Sequence, residues 1–194
     1  MHRMADVDAL AAELTCGDER RAEASVESLS RLGRPALERI LPFLEAPGVE
    51  TRWWATRALA AFDFPAARSA LHRGLHDQDA SVRHCAALGL RLKPSADAIP
   101  DLLEALASPD RLLARLAADA LAAIGPEAIP ALVETCLTGK PAARIEASRA
   151  LATTGDPEAI PALFAALDDP SPLVGFWAER GLERLGVGMV FVEP

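Results

Sequence analysis

Two consecutive stretches of this chain are near copies of each other. Residues 126–155 read PEAIPALVETCLTGKPAARIEASRALATTG, and residues 156–186 read DPEAIPALFAALDDPSPLVGFWAERGLERLG. Pro126–Leu132 and Pro157–Leu163 spell the same heptapeptide. Upstream, Ala98-Ile99-Pro100 and Leu102 keep part of it, and Ala120–Gly125 closes that copy with ALAAIG. Repeat ends fall at Gly33, Asp63, near Pro94, and at Gly125, Gly155 and Gly186, with spacings of 30, 31, 31, 30 and 31. A fixed period of this length excludes a core built from one-off elements. Each copy is a supersecondary unit that cannot cover its own apolar face, so neighbours must stack. The units run 5–33, 34–63, 64–94, 95–125, 126–155 and 156–186, followed by a tail at 187–194, and the array reads as one domain over 1–194.

Each unit reads as two helices. Ala, Leu, Arg and Glu dominate, all strong helix formers. Aromatics are only 5% and Tyr is absent, too few for a sandwich or barrel. Apolar residues at 51% exclude disorder. Pro126 and Pro157 suit the start of a first helix, where a missing N–H costs nothing. A second proline about one turn in, at Pro42, Pro100, Pro130 and Pro161, should tighten or bend that turn. Asp79, Asp110 or Ser171 caps the second helix, and Gly125, Gly155 or Gly186 ends it. Numbering each second helix from the residue matching Val82, positions 1, 5, 8, 9 and 12 share one face. In the fourth unit these are Leu113, Ala117, Ala120, Leu121 and Ile124; in the sixth, Val174, Ala178, Gly181, Leu182 and Leu185. This is the buried stripe.

The D-P-x-A-I-P-A-L of first helices and V-R-x-x-A-A-x-x-L of second helices resemble the HEAT-like repeats named after the phycobilisome lyases, over about residues 18–186. The resemblance implies an all-α, right-handed α-solenoid of about six HEAT-like helix pairs. It also implies a scaffold or adaptor that binds a protein partner, with second helices lining the concave side. Some similar proteins do other work: phycobilin lyases and their subunits, alkylpurine DNA glycosylases, and iron-dependent deoxyhypusine hydroxylases. The hydroxylases bind iron through paired His-Glu motifs, and this chain has no His-Glu dipeptide.

Opposite the buried stripe lie positions 3, 6, 7 and 10. They place Trp53, His84, Arg115, Ile145 and Phe176 at position 3, Arg57, Arg149 and Arg180 at position 7, and Arg91 at position 10. Positions 6 and 10 are mostly small. A floor of small residues beside aromatic anchors and arginines suits a groove for a peptide or helix carrying an acidic segment. The alternative is that the aromatics pack on adjacent helices and the arginines pair with acids of neighbouring units.

Other residues read as structural. Trp54 and Trp177, at position 4, belong to the edge of the stripe, as do Cys85 and Cys136 to the core. Arg52, Arg83 and Arg144 recur at position 2, where such repeats build an arginine ladder with the capping acid. Asp79 fits beside Arg83, but Gly48 and Lys140 occupy that place for Arg52 and Arg144. His72 and His76 share a helix side at i, i+4, without the glutamate of a metalloprotease motif, and read as a solvated edge, so no metal or cofactor is expected. No phosphate loop, nucleophile elbow or paired catalytic carboxylates appear, and no enzyme activity is expected.

The net charge of −8 argues against a general nucleic-acid binder. Three cysteines without C-x-x-C fit a reducing cytoplasm, Cys16 being the one at an exposed helix end. No apolar window is long enough to span a membrane. The polar second helix of the first unit, with Glu23 and Glu27, suits an N-terminal cap, whereas the β-prone tail Val187–Pro194 reads as a flap over the last pair or as a partner strand.

Overall fold

The computed structural model describes residues 2–187, with side chains from residue 5. Those residues form twelve α-helices in chain order and no strand. They are α1 His2–Leu14, α2 Glu19–Leu32, α3 Arg34–Ile40, α4 Val49–Leu59, α5 Pro65–Gly74 and α6 Ala80–Leu92. After these come α7 Ile99–Leu106, α8 Arg111–Ile124, α9 Ile129–Thr138, α10 Pro141–Thr154, α11 Ile160–Ala166 and α12 Pro172–Arg184. Two compact units divide between Lys93 and Pro94, each holding three helix pairs. The expected tail beyond Val187 lies outside the described residues.

The prolines act as their position dictates. Short 3-10 turns at Ala96–Ala98, Pro126–Ala128 and Pro157–Ala159 lead into α7, α9 and α11, whose second residues are Pro100, Pro130 and Pro161. Proline has no N–H for the first turn to miss, and the preceding turn tightens to i→i+3 bonds such as Ala128 N–H to the Gly125 carbonyl at 3.0 Å. Pro42 instead sits in a 3-10 segment, Leu41–Glu45, that follows α3. At the other end of the pairs, Gly125 and Gly155 close α8 and α10 at φ of 87° and 68°, which a residue with a Cβ resists.

Within each unit the second helices pack in a row, α2 on α4 on α6 and α8 on α10 on α12. First helices cover them from one side. The predicted stripe is the core: Leu113, Ala117, Ala120 and Leu121 are buried, as are Val174, Ala178, Gly181 and Leu182, with Ile124 and Leu185 half-buried at its end. Two glycines at position 8 show how closely the helices approach. A Cβ at Gly89 would meet Leu71 Cδ2 at 2.9 Å and Ala60 Cβ at 3.2 Å. A Cβ at Gly181 would meet Leu163 Cδ1 at 2.8 Å and Ala152 Cβ at 3.1 Å. In both cases the leucine belongs to the first helix of the same pair, and the alanine stands toward the end of the preceding second helix. The same pair of neighbours, a first-helix leucine and a preceding alanine, thus closes on position 8 in both units.

That contact corrects part of the sequence reading. Position 6 is no surface floor: Val26, Thr56, Ala87, Ala118 and Ser148 are all buried between helices. At position 10, Ala60 and Ala152 are buried against the next repeat. The row of second helices has neighbours on both flanks as well as beneath it. Solvent is left mainly to positions 3 and 7 and the larger residues of position 10, with buried Arg149 and exposed Glu179 as exceptions to the register.

Candidate partner-binding face

The arginine ladder exists, built with different acids from those at the helix caps. Arg52 donates from Nε and Nη2 to both carboxylate oxygens of Asp77, at 2.8 and 3.0 Å, and from Nη1 to the carbonyls of Ala46 and Pro47. Arg144 makes the same fork to Asp169, at 2.9 and 3.4 Å, and reaches the Gly139 carbonyl. Each acid lies 25 residues on, in the loop before the next second helix. Its carboxylate also accepts the N–H two residues later, Asp79 for Asp77 and Ser171 for Asp169, both at 2.8 Å. Asp79 is a cap, accepting from Ser81, and Asp110 caps α8 from Leu112 and Leu113. Ser171 makes no side-chain cap bond, and its own N–H is held by Asp169. Arg83 donates to the carbonyls of Asp77 and Gln78, so its anchorage includes the loop backbone.

These forks predict an acid limb to stability. Burial pushes the Asp77 carboxyl up, but bonds from Arg52 and the Asp79 N–H outweigh it and hold it below its ordinary value. Asp169 is likewise depressed, its burial outweighed by the Ser171 N–H and Arg144. A depressed folded pKa contributes stability that is complete above the unfolded value of about 4 and lost as pH falls through the folded value. Urea midpoints should therefore stay level above about pH 5 and fall steeply below about pH 4, with a shallower fall for Asp77→Asn.

The nine face residues divide between the two units. In the first unit Trp53, Arg57, His84 and Arg91 come together, all four lining one half-open depression of about 490 Å³ between α4 and α6. Leu88 and Leu92 supply its apolar wall and are 43% and 67% exposed. Trp53 is half-buried, its ring edge-on to the buried Trp54 at 4.8 Å, which holds the indole in place. Arg57 also pairs with Glu23 on α2. That pair marks the border of a second, wider depression lined by Glu19, Glu23, Glu27 and Arg20.

In the second unit the residues do not converge. Phe176 is exposed and edge-on to Trp177, the same aromatic pairing at the same two register positions as Trp53 and Trp54. Trp177 is half-buried rather than core, and lines a shallow depression with Arg180, itself paired to Glu183 at 3.4 Å. Ile145 lines a separate small one with Leu173, and Arg115 is exposed. Arg149 is not a surface contact. Only 8% exposed, it pairs with Asp119 and Glu146, both at 2.7 Å, and donates to the Arg115 carbonyl. Burial would draw a proton off Arg149, but the two carboxylates more than restore it and hold its pKa above the ordinary value. Asp119 and Arg149 occupy position 7 in successive repeats, so opposite charges there were a readable sign of the pair.

The cysteines are as expected. Cys16 is exposed, Cys85 and Cys136 are buried, and all are free thiols. Burial pushes the Cys85 thiol up to about 12, and pushes Cys136 up against an opposing contact from Ser148. One thiol should therefore react promptly with a disulfide reagent at about pH 8 in the native protein, and all three in denaturant. Prompt native reaction of three would contradict this core. His72 is half-buried and His76 exposed, and no cluster of three metal-ligating side chains occurs among the described residues. No helix among them is long and apolar enough to cross a membrane.

The same architecture recurs in solved structures. The complex of CpcE and CpcF of phycocyanin lyase from Nostoc sp. PCC7120 is 25% identical, with a TM-score of 0.57 over 77% of this chain and 64% of that one. Human deoxyhypusine hydroxylase is 18% identical at a TM-score of 0.51, covering 96% of this chain and 98% of that chain. A designed armadillo repeat protein is 18% identical at 0.50, covering 91% and 98%. No curated protein matches in sequence. The sequence profile of HEAT repeats matches residues 7–91, 71–141 and 138–187, nearly every helix described above. The chain belongs to the HEAT-repeat family.

Proposed function

We propose that this chain is a non-catalytic scaffold that seats a protein partner on the second-helix face of its first unit. The observation that carries the reading is the depression between α4 and α6. There the Trp53 indole, two exposed leucines and arginine side chains gather on a helical floor with no acid in its lining. Aromatic and arginine anchors set in a small apolar hollow are the usual energetic centre of a protein interface. HEAT repeats typically mediate protein interactions, and the three similar folds above serve unrelated ends, so the fold by itself supplies no chemistry. The buried thiols are poor nucleophiles for the same desolvation that places them in the core. Free thiols throughout suit work in a reducing cytoplasm. The net charge of −8 weighs against a nucleic-acid partner.

The test is capture from lysate with wild-type bait and a Trp53→Ala, Arg91→Glu bait, each with and without nuclease. A protein retained through nuclease by the wild type should fall at least about tenfold with the variant, whose circular dichroism should match the wild type. Equal capture by both baits would refute this seat, and capture lost to nuclease would favour a nucleic-acid partner.

A further inference from the structure

We infer that the side of the sixth helix pair turned away from α9 and α10 is a docking surface of its own, and that it takes a single amphipathic helix with a Lys/Arg edge. This surface belongs to the second unit, and the inference does not rest on the seat between α4 and α6. The repeat itself shows what the surface lacks. In the fifth pair, Ile129 and Cys136 of α9 are each 2% exposed, because the sixth pair packs on that side. Their counterparts in the sixth pair are Ile160 and Leu167, with Phe164 in the place of Val133. Ile160 is half-buried, but Phe164 is 47% exposed and Leu167 39%. At i, i+4 and i+7 the three form one apolar stripe, of the kind a facing helix covers.

Charge selects the occupant. Ser148 of α10 is wholly buried, its Oγ 3.1 Å from Cys136 Sγ. In the sixth pair Glu179 of α12 holds the place of Ser148, as Leu167 holds that of Cys136, and Glu179 is exposed. Glu158 and Asp168 stand exposed just before and just after α11. Among the described residues none of these three carboxylates has an ion-pair partner. Residues 155–171 contain no lysine or arginine. Of the cations on α12, Arg180 is paired with Glu183, and Arg184 lies toward α10, its Nε 3.6 Å from where a Gly155 Cβ would stand. An apolar stripe rimmed by unpaired acid favours an apolar helix with a basic edge and repels an acidic one.

The other occupants fit less well. A further helix pair stacked in register would bury Glu179 without a partner, in the column that Thr56 and Ser148 fill elsewhere. A second copy meeting this side with its own would set acid against acid. Residues 188–194 carry one acid, Glu193, and no lysine or arginine, so they offer the rim no countercharge.

Peptides of about 15 residues with leucines at i, i+4, i+7 and i+11 test this directly. One carries Lys/Arg along an edge of the stripe, one carries Glu there, and one keeps the basic composition with its leucines scattered. Binding to the full chain is read by fluorescence anisotropy at about 50 mM salt and again at about 500 mM. The basic-edged peptide should bind at least about fivefold tighter than both others, and its margin over the Glu-edged one should narrow in high salt. Phe164→Ser should weaken it about tenfold, with an unchanged circular dichroism spectrum. Glu179→Lys should weaken it and strengthen the Glu-edged peptide, a gain that a misfolded variant cannot give. Equal or tighter binding of either control, binding untouched by both substitutions, or none at about 1 mM would overturn the inference. So would basic-peptide binding that emerges only once residues 188–194 are deleted, which would make that segment the occupant. Self-association of the wild type that Phe164→Ser abolishes would overturn it in favour of a second copy.

Discussion

Asp77→Ala is expected to lower the free energy of unfolding by about 3 kcal/mol. The substitution removes a carboxylate whose side chain is 12% exposed, and leaves the Arg52 guanidinium, 5% exposed, with two backbone carbonyls and no paired carboxylate. A buried charge stripped of its partner is among the costliest single changes a fold can suffer, because the lost attraction is not replaced by water. The Asp79 N–H loses its acceptor as well. Replacing both partners, Asp77→Ala with Arg52→Met, should recover a large part of the loss, since no unpaired charge then remains. Urea denaturation of the two single variants and the double closes the cycle, and a coupling of about 1–3 kcal/mol is expected. Asp169→Ala should cost less, because Arg144 is 18% exposed and can reach water. A loss under about 0.5 kcal/mol for Asp77→Ala would mean that the fork is an ordinary surface pair.

Gly181→Val is expected to cost about 3 kcal/mol by overpacking. The nearest neighbours of a Cβ there include Ala152 Cα at 3.0 Å, a backbone atom of α10 that cannot swing aside as a side chain can. Any relief must move one helix off another, which opens the row of second helices. Gly89 is the matched comparison. Its closest neighbours are the methyl ends of Leu71 and the Cβ of Ala60, so Gly89→Ala should be milder than Gly181→Ala. Gly175 lies in the same helix as Gly181 with nothing nearer than the Leu167 carbonyl oxygen at 3.8 Å. Gly175→Ala should be neutral or stabilising, by up to about 1 kcal/mol, through helix propensity. Thermal melts of the four variants rank these effects. A Gly181→Val protein as stable as the wild type would show that the approach of α10 and α12 is looser than described.

Periodicity made the architecture legible. The spacing of glycines and prolines located the helix pairs, and the 100° placement of residues from Val82 found the buried stripe, with Leu121 and Leu182 at its centre. What a single-helix projection could not show was the neighbouring helix on either flank. Position 6 faces away from the stripe in projection, yet Thr56 and Ser148 are wholly buried by adjacent helices. Arg149 was misplaced for the same reason: its partner Asp119 belongs to the preceding repeat and is visible only when repeats are aligned column by column. The ladder acids were missed because the capping position drew attention. The working carboxylates, Asp77 and Asp169, sit two residues before it, where the loop can turn them toward the previous repeat. Of the face residues, those from α4 and α6 line one depression, since adjacent second helices bring positions 3, 7 and 10 together.

The fork between Arg52 and Asp77 also bears on how such an array can gain or lose copies. The arginine belongs to one repeat and its acid to the next, so neither repeat carries a finished joint. In the repeat that follows, the place matching Asp77 is held by Ser108. Excising residues 64–94 as a clean unit would therefore bring a serine to the place where Arg52 requires a carboxylate. Deletion and duplication here are constrained by the chemistry of the joint as well as by the length of the repeat. The array is modular in its helices and interlocked where the Arg52 and Arg144 forks join its repeats.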